Sequence, residues 1–161
     1  MKILVAIDGS EFSKNAVRFA SCLAMKIKAG VIALRINDVP RYSHWMGISN
    51  KVKEEMFESS EKMIQEAVEI GRTEFDMAVT GMIREGTPVE EIVKVVNADQ
   101  EISMVVLGAS GKGNAARRLI GSTTEGLIHE VSRSLHCAVI VVPGSDEIYS
   151  KRCAMVHSRD L

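Results

Sequence analysis

Met104-Val105-Val106-Leu107-Gly108-Ala109-Ser110-Gly111, taken up again at Gly121-Ser122-Thr123-Thr124, is the stretch whose reading decides the fold. Four consecutive apolar residues read as a buried strand, and Leu127, Ile128, Val131 and Leu135 are spaced as one face of a helix. Between strand and helix lie glycines and a row of hydroxyls, with Lys112, Arg117 and Arg118 in the connecting loop. Glycine lets backbone N–H groups approach a ligand closely, and a helix N-terminus offers unpaired donors and partial positive charge. Strand, glycine loop and helix start together make the chemistry of a phosphate cradle. The spacing is neither the G-x-x-x-x-G-K-[ST] of a Walker loop nor the G-x-G-x-x-G of a dinucleotide fold.

Working outward, the same alternation of element types runs through the chain. Ile3 to Ile7 is a continuous apolar run, as expected of a strand covered on both faces, and it stops at the turn Asp8-Gly9-Ser10. Apolar residues at 16, 17, 20, 23, 24 and 27 form a helical stripe closed by Gly30 as C-cap. Val31 to Ile36 is a second strand, and Asn37 to Asn50 is the longest irregular connection, with Tyr42 and Trp45 to pin it or to act as a lid. A second helix sets Val52, Met56, Met63, Ala67 and Ile70 on one face, and an alternating third strand surrounds Gly81. Thr87, Pro88 and Glu90 have the form of a capping box opening a third helix. Ala138 to Val142 is the fifth strand, ended by Pro143.

The order βαβαβαβαβ predicts an α/β fold: one doubly wound five-stranded parallel sheet with helices on both faces. In the strand order 3-2-1-4-5 the winding reverses between strands one and four, where ligands bind beyond the carboxyl ends. The turn at Asp8 and the Gly108 to Ser122 loop then face each other. Five apolar residues on an open edge invite pairing, so the fifth strand, Ala138-Val142, is the expected homodimer interface.

Composition narrows the field. At 161 residues the chain is one domain with a proper core, and a net charge of −1 implies neither nucleic acid nor a membrane surface as partner. Hydrophobic content of 46% without any run of about 18–20 apolar residues indicates a globular protein without a membrane span. The N-terminus lacks signal-peptide features, and Cys22, Cys137 and Cys153 have no metal-ligand spacing. Idle thiols and a cytoplasmic location are expected.

With these segments in order the chain resembles a universal stress protein. The motif G-x2-G-x9-G-[ST] of that family's ATP-binding branch stands here as Gly108, Gly111, Gly121 and Ser122 with its intervals intact. Val5 to Ser10, Arg84-Glu85-Gly86-Thr87-Pro88 and Val139 to Pro143 resemble further family segments, so the likeness covers nearly all of residues 1–143. The resemblance implies the 3-2-1-4-5 sheet, a cytoplasmic dimer, and ATP or AMP as ligand, with Mg²⁺ or Mn²⁺ carried only by the nucleotide phosphates. It also implies roles. Ile7, Ile36 and Leu107 wall the adenine, and Asp8 faces the ribose or the phosphate–metal assembly. Gly108 and Gly111 bring backbone to the ribose and phosphates, and Gly121, Ser122, Thr123 and Thr124 bind phosphate oxygens. Residues 144–161 extend past the usual family end as a tail of unknown role.

Each reading has a plainer rival. Ser122 and Glu125 also fit a capping box that satisfies only its own helix. Gly108 and Gly111 also fit a tight turn, and Asp8 a turn former bonding the backbone near Ser10. No catalytic residue and no protein metal site are expected. His129 and His136 lack ligand spacing. The leading expectation is a nucleotide-binding regulatory dimer. The alternatives are a slow ATP-hydrolysing enzyme relying on Asp8, and a nucleotide-independent interaction or chaperone-like module.

Overall fold

The computed structural model describes residues 1–38, 50–110, 120–131 and 133–144. The elements, in chain order, are β1 (Lys2–Ile7), α1 (Glu11–Ile27), β2 (Gly30–Asn37), α2 (Asn50–Phe75), β3 (Val79–Glu85), α3 (Pro88–Ala98), β4 (Ile102–Gly108), α4 (Ser122–Val131) and β5 (Ala138–Val142). All strand pairs are parallel and the sheet order is β3-β2-β1-β4-β5. This is the doubly wound topology expected from the sequence, with β1 and β4 side by side at the centre.

Strand alternation divides the core into two halves. Ile3, Val5, Ile7, Val31 and Ala33 face α1 and α2, against Val17, Ala20, Ala67 and Ile70. Leu4, Ile32, Leu34, Ile36 and Leu107 face α3 and α4, against Ile92, Val96 and Leu127. Burial on both faces explains why β1, β2 and β4 read as continuous apolar runs rather than alternating ones.

Several local expectations are corrected. Helix α1 ends at Lys28, which adopts a left-handed conformation (φ 55°), while Gly30 already begins β2. The helix begins earlier than its apolar stripe, with Ser10 as N-cap accepting from the Ser13 N–H at 3.2 Å. Thr87 is the N-cap of α3, but its hydroxyl makes no capping bond, so the expected box does not form. Val52, assigned to the buried face of α2, is 43% exposed. The reason is length: 26 helical residues span about 39 Å, whereas the eight-residue β2 spans about 26 Å. The first turns of α2 therefore overshoot the sheet. Ile128 is exposed where Leu127 is fully buried, because adjacent helical residues point about 100° apart and only one can meet the sheet. Cys22, expected as an idle thiol, is disulfide-bonded, and Cys137 is free. Cys153, Tyr42, Trp45, Gly111, Lys112, Arg117, Arg118 and residues 145–161 lie outside the described residues.

Candidate functional site

The carboxyl ends of β1, β2 and β4 open into a cleft of about 230 Å³. Ile7, Asp8, Ile36, Leu107, Gly108, Gly121, Ser122, Thr123 and Thr124 all border it. Of the ten residues singled out from the sequence, only Gly111 is not placed, since it lies outside the described residues.

Each wall follows from local chemistry. β1 ends where Asp8 turns back on the chain. Its Oδ1 accepts from the Ser10 N–H at 2.9 Å and from the Ser10 hydroxyl at 2.6 Å. Gly9 supplies the positive φ (77°) that lets the chain make this turn. Asp8 is thus both the turn former and a bordering residue of the cleft.

The opposite bank is built from β4 and α4. The Ala109 N–H donates to the Val142 carbonyl at 2.8 Å, and the Ala109 carbonyl accepts from the Gly121 N–H at 2.7 Å. One residue, Ala109, therefore ties the end of β5 to the start of α4. The Gly121 carbonyl accepts from the Glu125 N–H at 2.9 Å, which makes Gly121, not Ser122, the residue ahead of the helix. The Ser-Thr-Thr-Glu box in which Ser122 caps its own helix is accordingly not formed. Ser122 and Thr123 stand in the first turn beside the cleft, where helix N–H groups lack intrahelical partners. Thr124 is committed elsewhere, its hydroxyl donating to the Gly108 carbonyl at 3.1 Å.

Gly108 has a packing role that the motif alone does not reveal. A Cβ at this position would fall 2.7 Å from the carbonyl carbon of Phe12 and 2.8 Å from its oxygen. The glycine lets α1 lie directly against the end of β4.

Other bordering residues escaped the sequence reading. Ala6, Leu34 and Ile92 add apolar wall, and Pro88 sits at the start of α3. The Ser110 hydroxyl is buried there without a hydrogen-bond partner among the described residues. Arg35 is the most notable omission, a charged residue within an apolar strand. Its Nε lies 3.4 Å from the Ser60 Oγ, and the Ser60 hydroxyl donates to Asn37 Oδ1 at 2.6 Å. Burial lowers the Arg35 pKa, a shift opposed by the charges of Asp8 and Asp38. Arginine inside an apolar run was the available signal. Among the described residues, no group of three or more His, Cys, Asp or Glu could hold a metal ion by itself.

A parallel sheet wound in both directions, with a helix N-terminus and an apolar wall flanking its central reversal point, defines the class of α/β ligand-binding domains. The description of the Universal stress protein family matches residues 1–143, and the chain belongs to that family. The chain is 32% identical over 147 residues to Universal stress protein MJ0531 of Methanocaldococcus jannaschii, covering 88% of this chain and 81% of that one. It superposes on the structure of MJ0577, from the same organism, with a TM-score of 0.69 at 26% identity, covering 91% of this chain and 97% of that chain. A more distant fold relative, the Archaeoglobus fulgidus universal stress protein in complex with dAMP, gives a TM-score of 0.63 at 19% identity, covering 88% and 97%.

Proposed function

We propose that this chain binds an adenine nucleotide, ATP or AMP, in the cleft between β1 and β4, and acts as a regulatory protein, not as a catalyst. One observation carries the reading: a single cleft joins an apolar wall, Ile36 and Leu107, to the first turn of a helix, Ser122 and Thr123. A base needs the first and a phosphate the second. The dAMP bound by the A. fulgidus family member is a ligand of the same chemistry.

Magnitudes assign the work. Micromolar affinity requires about 8 kcal/mol. A helix terminus contributes only about 0.3–2 kcal/mol of charge–dipole stabilisation. Adenine burial against Ile7, Ile36 and Leu107 and hydrogen bonds from the backbone N–H groups of Ser122 to Thr124, in the first turn of α4, supply the rest. A Mg²⁺ or Mn²⁺ ion would travel on the phosphates, with Asp8 as the neighbouring carboxylate. Asp8 is also the only acid among the described residues bordering the cleft, and its Oδ1 already accepts two bonds from Ser10. That favours binding over hydrolysis.

The same proposal takes residues 1–143 as the nucleotide domain and 144–161 as a tail, and the cytoplasm, where adenine nucleotides are held, as the site of action. It includes a homodimer through β5, which lies at the sheet edge with Val139, Ile140 and Val141 only half buried. Mass spectrometry of small molecules released on denaturing protein purified without added ligand tests the ligand. An adenine nucleotide is expected. No released nucleotide, together with no calorimetric binding of ATP or AMP, would overturn the reading.

A further inference from the structure

Strand β2 reads Gly-Val-Ile-Ala-Leu-Arg-Ile-Asn, and Arg35 is its one charged residue. Its position pairs with Ile7 of β1, one residue before Asp8, so it lies at the carboxyl edge where the cleft opens. The side chain is half buried beneath α2. Its Nε reaches the Ser60 Oγ at 3.4 Å, the outer limit of a hydrogen bond, and that hydroxyl has committed its own proton to Asn37. Ser60 is fully buried and Asn37 nearly so. The pair thus forms a fixed polar post linking α2 to β2 under the guanidinium.

Among the described residues no carboxylate makes an ion pair with Arg35, although it is half buried, whereas Lys14 and Arg18, basic residues that also pack against α2, each have one. A guanidinium carries five donors in a planar fork, and one long bond satisfies little of it. A cation withdrawn from water without a close partner is costly. Asp8 and Asp38 act on Arg35 through their field and not as ion-pair partners. Two electropositive features therefore border the cleft: the first turn of α4, and a guanidinium without an ion-pair partner among the described residues.

We infer that Arg35 is an anion receptor of the cleft, its guanidinium binding a nucleotide phosphate and making the site select a phosphorylated nucleoside over the nucleoside itself. The inference rests on the cleft being the nucleotide site. Arginine suits the role because its fork matches phosphate oxygens two at a time, which a lysine ammonium does not. The Ser60–Asn37 post holds the fork in place. The adenine walls, formed by other residues, have no part in this discrimination.

Calorimetric titration of AMP and adenosine into the wild-type chain, R35Q and R35K tests it. The expected result is about a tenfold loss of AMP affinity in R35Q with adenosine affinity unchanged, and R35K between wild type and R35Q. Adenosine binding also reports an intact fold. If R35Q does not fold, the ratio of AMP to adenosine affinity in R35K decides, and an unchanged ratio overturns the inference. Equal losses for AMP and adenosine would make Arg35 a packing residue and overturn it, as would an R35Q variant with wild-type AMP affinity. A wild-type chain that binds neither compound removes the nucleotide reading itself, an outcome separate from failure of the arginine alone.

Discussion

Replacing Gly108 by alanine adds one methyl group, and the structure states what it meets. The new carbon would lie 2.7–2.8 Å from the backbone and Cβ of Phe12, at the start of α1. Carbon–carbon contacts are comfortable at about 3.5–4.0 Å, so the two elements would have to separate by most of an ångström. Backbone cannot rotate aside as a side chain can. Overpacking costs typically about 1–3 kcal/mol, and this site belongs at the upper end. With an unfolding entropy of about 2.1 cal/mol/K per residue, a 161-residue chain loses roughly 9 °C of Tm for 3 kcal/mol. Gly126→Ala is the control. Its Cβ would crowd one side-chain methyl, the Cγ2 of Val89 at 2.8 Å, and no backbone, and alanine gains up to about 1 kcal/mol over glycine within a helix. Differential scanning calorimetry of both variants without ligand should show a large fall for Gly108→Ala and a change of less than half that for Gly126→Ala. Equal Tm values for Gly108→Ala and wild type would refute the argument that this glycine is required by packing.

Gly121→Val should abolish ATP binding while the apo protein still unfolds cooperatively, because its backbone stands at the helix start bordering the cleft. Unchanged calorimetric affinity would count against the cradle. Ile140→Lys places a charge in the half-buried edge strand and should yield monomers by light scattering, and a persistent dimer would move the interface elsewhere.

The topology was legible because its signals are local. Ile3 to Ile7 and Met104 to Leu107 are apolar without interruption, which marks strands covered on both faces, and the glycine-to-hydroxyl run marks a strand-to-helix junction. The borders of the cleft were legible where a turn or a helix start supplies them, as at Asp8 and Gly121. What stayed hidden depends on elements distant in sequence. The support of Arg35 by Ser60 joins residues 25 apart, and nothing in either local pattern announces it. Gly108 was singled out for the cleft alone, whereas its close packing is with Phe12, 96 positions upstream in the chain. Lys28 took the left-handed position assigned to Gly30, which already pairs with Lys2 as the first residue of β2.

The bond from the Gly121 N–H to the Ala109 carbonyl has a mechanical meaning of its own. It draws the chain shut like a purse-string, so the span between those residues departs from and returns to a single point. The bond holds together the two ends it joins, Ala109 after β4 and Gly121 before α4, so the opposite bank of the cleft is pinned at the junction of sheet and helix.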